Sequence, residues 1–351
     1  MDIIVNILLL ILILGIIILI HEFGHFIWAK KFGVYIYEFS LGMGPVVYSK
    51  KGKDGIDYNI RALPIGGFVQ MAGEVYEDDK KVKKEKFMCN KPWYQRIIIV
   101  VAGVVNNFIL AIGLLFIIAL IWGAPKQSMV ISDVVADSAF SEAGIVAGDR
   151  ILEINNHSVS NFDKAQILLY MKSKNNNYEF VVEKTNGDKK TYNITPHIKK
   201  DKDGNETKTF GFQVESTKEK GIIASIKFAF KKFWSLIETM WLTISGLVTG
   251  KLSVKSLSGP VGIYQIVGET KKSGIENIIY LIALLSVNVG FINILPFPAF
   301  DGGRALFMLI EKIKGSPINS KIENTIHTIG FILLMILMIF ITGQDILRIF
   351  K

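Results

Sequence analysis

The sequence contains one cysteine, Cys89, and five histidines among its 351 residues. A single cysteine excludes an internal disulfide, and a zinc site in this chain would therefore have to use histidine and carboxylate ligands. Charged residues are absent from residues 3–20, which form a continuous apolar run. As a helix, that run would be about 27 Å long, close to the thickness of the hydrocarbon core of a bilayer.

The overall composition is apolar and basic. Hydrophobic residues make up 50% of the chain, the mean hydropathy is +0.38 and the formal net charge is +9. This hydropathy is too high for an ordinary soluble protein of this length and indicates a membrane protein with soluble insertions. Lysine and arginine are spread over segments beside the apolar runs rather than clustered on one soluble module. The charge therefore indicates contact with anionic lipid, and we expect no nucleic-acid partner.

We predict a polytopic α-helical membrane protein with four transmembrane helices, a membrane-associated β-hairpin loop and one extracytoplasmic α+β domain. The transmembrane helices are predicted at residues 1–29, 97–122, 278–300 and 329–348, the β loop at 30–96, the soluble domain at 127–215, an amphipathic helix with a linker at 221–276 and a cytoplasmic loop at 301–328.

These assignments follow from the residue patterns. Residues 127–215 alternate between short strand-like and helical stretches, as in a small folded domain. Residues 221–276 mix lysines with Ile, Phe and Trp, which favours a helix on the membrane surface. Residues 30–96 contain short β-like stretches separated by glycine and proline, although an ordinary hairpin loop would explain that pattern equally well.

The distribution of basic residues predicts the orientation. No lysine or arginine precedes the first apolar run, whereas residues 30–96 and 301–328 carry most of the basic residues of the short loops. The positive-inside rule then places both segments in the cytoplasm and both termini outside, with Arg348 and Lys351 arguing weakly against this for the C-terminus. The domain at 127–215 would be extracytoplasmic.

The segment His21-Glu22-Phe23-Gly24-His25 follows the first apolar run. In a helix, an H-E-x-x-H sequence places two imidazoles on one face with a carboxylate beside them, as in zinc metalloproteases. Chance occurrence and hydrogen bonding inside a helix bundle are alternatives, and the apolar run could be a signal peptide. The run lacks a preceding basic residue and a following small-residue cleavage site, however, and ionisable groups at membrane depth are usually functional.

A catalytic zinc site needs a third protein ligand and one open position. The first and third predicted spans run in the same direction, so their C-terminal ends share a leaflet, and Asp301 is the only acidic residue at the end of the third. Pro296 and Pro298 prevent a regular helix there, and irregular backbone at this depth is tolerated where it lines a wet cavity. We therefore expect Asp301 to be the third ligand, with capping of a following helix as the alternative.

Two further residues have candidate roles. Glu22 is the expected general base, which takes a proton from the attacking water and returns one to the leaving amine. Asn293 carries an amide in an otherwise apolar span, where it could hold the substrate backbone or make a hydrogen bond between helices.

These motifs resemble the site-2 protease (M50-type) family of intramembrane zinc metalloproteases, in particular its bacterial RseP/RasP type with one PDZ domain. The resemblance is carried by H-E-F-G-H in the first span and by N-x-x-P-x-P-x-x-D-G, from Asn293 to Gly302, in the third. Similarity extends over residues 63–69, 95–96, 107–111 and 257–263, and residues 143–151 resemble part of a PDZ domain. Val104 and Phe300 depart from residues common in the family, but neither change removes a functional group.

The resemblance implies a Zn²⁺ cofactor held by His21, His25 and Asp301, with Glu22 as the catalytic acid and base. It also implies substrate contacts, which we expect from Asn293, Pro296, Pro298, Gly66 and Gly67. The implied substrates are single-pass membrane proteins of the bacterial cytoplasmic membrane that have already been trimmed outside, such as anti-sigma factors, and signal-peptide remnants. The active site would lie near the cytoplasmic leaflet.

Two other functions are compatible with parts of the sequence. A catalytically silent scaffold would use the PDZ-like domain to capture peptide tails and would not depend on zinc. A metal transporter would use the same ligands but would need polar residues along several spans, and the fourth span is nearly featureless.

Overall fold

The computed structural model describes residues 2–74, 81–126, 128–173, 176–200 and 206–349. The predicted β loop at 30–96 and the predicted domain at 127–215 each include some residues outside these ranges. The chain divides into two units, which comprise residues 1–114 with 258–345 and residues 115–257 with 346–351.

In chain order, the described residues form α1 (Asp2–Lys31), β1 (Ile36–Lys51), β2 (Asp57–Met71), α2 (Trp93–Trp122), β3 (Ala124–Pro125), β4 (Ile131–Val134), α3 (Ala139–Glu142), β5 (Arg150–Ile154), β6 (His157–Ser158), α4 (Phe162–Tyr170), β7 (Tyr178–Glu183), β8 (Lys189–Ile194), β9 (His197–Lys200), β10 (Glu206–Thr209), β11 (Phe212–Val214), β12 (Lys218–Glu219), α5 (Ile222–Val248), α6 (Pro260–Lys272), α7 (Ile275–Ile294), α8 (Asp301–Lys314) and α9 (Ser320–Ile349).

Four of these helices, α1, α2, α7 and α9, are long and apolar enough to cross a membrane. This confirms the number of predicted spans, but two boundaries differ. Helix α7 ends at Ile294 rather than at residue 300, because the two prolines that follow cannot continue it. Helix α9 begins at Ser320 rather than at residue 329, because hydropathy does not detect its polar first turns. The range 301–328, predicted as a loop, therefore contains α8 and the start of α9.

Glycines set the spacing of the membrane helices in the first unit. A Cβ atom on Gly24 of α1 would lie 2.4 Å from the carbonyl oxygen of Ala102 on α2. A Cβ atom on Gly290 of α7 would lie 2.6 Å from the ring of Phe108 on α2. Small residues at helix contacts allow close packing. Gly24 lets the backbones of α1 and α2 approach, and Gly290 makes room for the ring of Phe108.

Strands β1 and β2 pair antiparallel and pack against the second half of α1. Val69 and Met71 of β2 are buried in one cluster with Phe26 and Ala29 of α1 and Ile99 of α2. This sheet lies within the predicted β loop, and its association with a membrane remains a prediction.

Helix α6 corrects the prediction that residues 221–276 lie on the membrane surface as an amphipathic helix and linker. Val267 of α6 is buried against Ile13 and Ile17 of α1 and Leu281 of α7, which makes α6 part of the first unit's core. Gly259 is the N-cap of α6, and the charged residues of α6 lie near its C-terminal end, so the sequence of this segment resembles a linker. The Asp345 carboxylate of α9 accepts hydrogen bonds of 2.8 Å from the amides of Gly259 and Gly262, and so caps α6.

The second unit contains a four-stranded sheet in the order β6-β5-β7-β8. Ile151, Tyr178 and Phe180 of this sheet are fully buried against Phe140 of α3. Because strands and short helices share one core here, the unit contains a small α+β domain, although its assignment as a PDZ domain remains a prediction.

Helix α5 has two different faces. Lys232 makes an ion pair of 2.6 Å with Asp163 of α4, and Phe233 is buried. Large apolar side chains on α5, among them Phe230 and Trp234, are exposed. This two-sided character is that of the predicted amphipathic helix, whose position on a membrane also remains a prediction.

Candidate metal centre

Three predicted ligands meet in the first unit. The Nε2 atom of His21 lies 3.0 Å from Oδ2 of Asp301, and the Nε2 atom of His25 lies 3.5 Å from the same oxygen. The candidate ligand atoms of the three residues all lie within 4.8 Å of one another. Both histidines are buried. The structure thus brings together residues that are far apart in the sequence, as the argument from membrane depth predicted.

The donor set fits zinc. A tetrahedral zinc ion with bonds of about 2.0–2.2 Å would separate its ligand atoms by roughly 3.3–3.6 Å. The two observed distances lie at or just below this range, so small outward shifts would admit the ion. Two imidazoles and one carboxylate are also a donor set typical of catalytic zinc, which needs a fourth position for water or substrate.

Helix α2 orients the imidazole of His25. Its Nδ1 lies 2.8 Å from the carbonyl oxygen of Ile99, which can only accept a hydrogen bond. The Nδ1 atom must therefore carry the proton, and this leaves the lone pair of Nε2 directed at Asp301. Histidines that bind metals usually donate their second ring N–H in this way.

Asn107 of α2 lies beside the other imidazole. Its side-chain amide is 3.3 Å from Nδ1 of His21, with the nitrogen facing the ring. The Oδ1 atom of Asn107 is buried and has no hydrogen-bond partner among the described residues. An amide turned by 180° would instead accept the Nδ1 proton of His21 and free Nε2 for a metal. The metal-bound form therefore requires that orientation of Asn107.

The segment after α7 presents Asp301. Helix α8 begins at Asp301, and no side chain caps its N-terminus. The carboxylate faces the imidazoles, so the alternative role as a helix cap is not observed. Gly302 and Gly303 fit tightly behind it, since added Cβ atoms would lie 2.2 Å and 2.3 Å from the carbonyl oxygens of Ile294 and Phe297.

A cavity of about 370 Å³ opens beside the three candidate ligands. Glu22, Asn293 and Gly66 line it, as predicted for residues that act on a substrate. Gly67 lies at its edge, because an added Cβ atom would be 3.5 Å from Cγ of Glu22.

Pro296 and Pro298 are not among the residues that line this cavity. Pro296 is exposed, and Pro298 lies against Gly330 of α9. Their contact with substrate stays a prediction. In the fold, the two prolines end α7 and shape the turn before Asp301.

Two residues at the cavity escaped the sequence analysis. Glu74 and Arg304 form an ion pair there, and both also line a second cavity of about 480 Å³. Partial burial lowers the pKa of Arg304, but the neighbouring Glu74 carboxylate more than offsets this, and the net shift is upward. The charged pair forms the wall between the two cavities. In the sequence, the signal that could have identified this ion pair is the position of Arg304, three residues after Asp301.

Gly103 of α2 was also missed. A Cβ atom at this position would lie 2.5 Å from Nε2 of His25 and 2.8 Å from Nε2 of His21. We expect Gly103→Ala to push the imidazoles out of place and to reduce zinc affinity by about 10–100-fold, as for other changes that disturb ligand orientation. The measurement is bound zinc after dialysis against a graded chelator. Gly113→Ala is the matched control, since nothing lies within 4 Å of its added Cβ, and equal zinc retention by both variants would contradict this reading.

Two histidines of one helix and a carboxylate from a distant segment lie beside a glutamate and a cavity, which is the arrangement expected of a metallohydrolase site. The sequence profile of peptidase family M50 matches residues 9–337, and this chain belongs to that family. It is a zinc metalloprotease of the membrane.

Relatives match along almost the whole chain. The regulator of sigma-W protease RasP of Bacillus subtilis is 29% identical, and the alignment covers 89% of this chain and 91% of the relative. The zinc metalloprotease RasP of Bacillus licheniformis is 30% identical, with coverage of 89% and 92%. A protein of Clostridium acetobutylicum whose name also describes a zinc metalloprotease is 35% identical, with coverage of 89% and 88%.

Proposed function

We propose that this protease hydrolyses peptide bonds within the transmembrane segments of single-pass membrane proteins. The observation that carries the proposal is the position of the candidate metal centre. His21 and His25 lie in a membrane-spanning helix, and Asp301 follows the end of another. A substrate bond must therefore enter the membrane region to reach the cavity.

The residues have distinct roles in this proposal. His21, His25 and Asp301 hold the zinc, which when bound supplies a Lewis acid that acidifies water and polarises a carbonyl group. Glu22 lines the cavity beside them and acts as general base and then as general acid. The side-chain amide of Asn293 lies on the same cavity wall and holds the substrate backbone.

The proposed substrate must lose helical structure before cleavage, because a transmembrane helix shields its own peptide bonds. Strand β2, which pairs with β1, lines part of the cavity, and its Gly66 lies on the cavity wall. Pairing of an unwound substrate segment with a strand edge would replace the lost hydrogen bonds. We propose that the active site lies near the cytoplasmic leaflet of a bacterial cytoplasmic membrane and that residues 127–215 form an extracytoplasmic PDZ domain.

The substrate class follows from the same reasoning. One relative is named regulator of sigma-W protease RasP. For this chain we infer that the substrates are trimmed anti-sigma factors and signal-peptide remnants.

The test is to reconstitute the purified protease with a single-pass membrane protein in lipid and to map the cleaved bond by mass spectrometry. We expect cleavage inside the membrane segment. A substrate whose helix-destabilising residues are replaced by leucine should be cleaved more slowly, because unwinding then costs more. Cleavage only in the soluble tails, at a rate that does not change with these replacements, would refute the proposal.

The scaffold alternative makes a different prediction. It requires peptide binding by the full chain with no dependence on zinc. The cluster of His21, His25 and Asp301 argues against it, since a peptide-capture module does not need three converging candidate metal ligands.

A further inference from the structure

The turn that presents Asp301 contains a residue in an unfavourable backbone conformation. Ala299 has a φ angle of +78°. In the described part of the first unit, it is the one non-glycine residue with a positive φ. This left-handed region favours glycine, because a Cβ atom crowds the backbone there. Such a conformation persists only where surrounding contacts impose it.

One of those contacts comes from another membrane helix. The backbone amide of Ala299 donates a hydrogen bond of 2.9 Å to Nδ1 of His327 on α9. Pro296 and Pro298 have no amide hydrogen, and the amides of Phe297 and Phe300 donate to the carbonyl oxygens of Leu295 and Phe297 within the same segment. The amide of Ala299 instead bonds outside the segment. Its partner is a side chain from a separate helix.

The His327 ring is itself held in place. It packs against Phe307 of α8, with ring centroids 5.4 Å apart. Three residues later on α9, Gly330 meets the same turn, because an added Cβ would lie 2.5 Å from Cβ and 2.7 Å from the carbonyl oxygen of Pro298. Helix α9 thus contacts the turn at two consecutive residues, 298 and 299.

We propose that His327 is a positioning residue for the metal ligand Asp301, an inference that rests on the proposed function. Its Nδ1 atom fixes the amide of Ala299 and holds that residue in the left-handed conformation. The backbone direction at Ala299 sets the path of the next two residues and therefore the direction of the Asp301 carboxylate. His327 is not itself among the residues whose ligand atoms form the candidate metal cluster.

The hydrogen bond from the Ala299 amide explains why a histidine suits position 327. The position needs an acceptor at the reach of Nδ1, and a neutral imidazole with its proton on Nε2 supplies one. Asparagine can present Oδ1 at nearly the same place, whereas leucine fills a similar volume without an acceptor. Glycine at position 299 adopts a positive φ without help, so it should make the acceptor less necessary.

The test compares His327→Leu, His327→Asn and the double variant His327→Leu with Ala299→Gly in the full-length protein. The rate of zinc release to a chelator is measured, together with the thermal midpoint and kcat and KM for a membrane substrate. Second-sphere changes of this kind typically weaken metal binding by about 10–100-fold, and we expect His327→Leu to accelerate release within that range. His327→Asn should stay near wild type, and Ala299→Gly should restore most of the retention lost in His327→Leu.

The rescue pattern separates this role from general stabilisation of α9. If His327→Leu releases zinc at the wild-type rate, or if Ala299→Gly restores nothing, the inference is wrong. Gly330→Ala provides a second disturbance of the same contact and should also accelerate release. If the His327 variants fail to fold, wild-type release by Gly330→Ala would overturn the proposal.

Failure of the proposed function would look different. If Asp301→Ala retains zinc like wild type, the metal site itself is misassigned, and the role of His327 is refuted with it. If Asp301→Ala loses zinc while His327→Leu does not, the metal site stands and only the inference about His327 is refuted.

Discussion

Replacing Glu22 by glutamine is expected to reduce proteolysis by about 10²–10⁴-fold, the usual contribution of a general acid–base group. Glutamine keeps the size and much of the polarity of the side chain but cannot take up the proton of the attacking water. Glu22 is not one of the three candidate ligands, so the variant should bind zinc like wild type. The measurements are the rate of substrate cleavage and the zinc content of the same purified sample.

The zinc measurement makes the result specific. A variant that lost both zinc and activity would assign Glu22 to metal binding or to folding instead of catalysis. A fully active Glu22→Gln protein with normal zinc would refute the mechanism proposed above. Among the described residues, the other carboxylates that line the cavity are Asp301, which is a candidate ligand, and Glu74, which is paired with Arg304.

Replacing Asp301 by alanine is expected to remove both zinc and activity. Two histidines alone cannot hold a tetrahedral ion with a single open position, and loss of a ligand atom leaves the imidazoles without their shared partner. Zinc content after purification is the primary measurement, since it does not depend on finding the right substrate.

Asp345→Asn provides a matched control. Asp345 is a buried carboxylate in the first unit, but it accepts hydrogen bonds from Gly259 and Gly262 and is not part of the candidate metal cluster found among the described residues. Its replacement should lower the thermal midpoint and leave zinc content unchanged. Loss of zinc in both variants would mean that the first unit depends on any buried carboxylate, and the specific assignment of Asp301 would then fail.

The core of the site could be predicted from the sequence because each part obeys a simple rule. The spacing of His21 and His25 places them on one face of a helix, and counting spans places the acidic end of the third segment in the same leaflet. The four membrane helices were accessible because their apolar runs are long and continuous.

The rest of the site depends on contacts that no local pattern encodes. Gly103 resembles many other glycines in apolar helices until α2 is placed against α1. No local pattern in the sequence singles out His327, because its partner is a backbone amide 28 residues away. Polar helical turns before an apolar run explain why α9 was predicted to start too late. Asn107 could have been found from the sequence, since a polar amide in an apolar span usually has a hydrogen-bonding or functional role.

The distance along the sequence between the two halves of the metal centre has a consequence for the assembly of the protein. The histidines lie near residue 20 and the carboxylate at residue 301, so one bound ion would act as a cross-link that closes the loop between residues 21 and 301 of the 351-residue chain. Metal binding that requires a folded site adds its free energy to folding. A molecule without its ion would therefore be both inactive and less stable, and the cell's quality control would treat it as an incompletely folded protein.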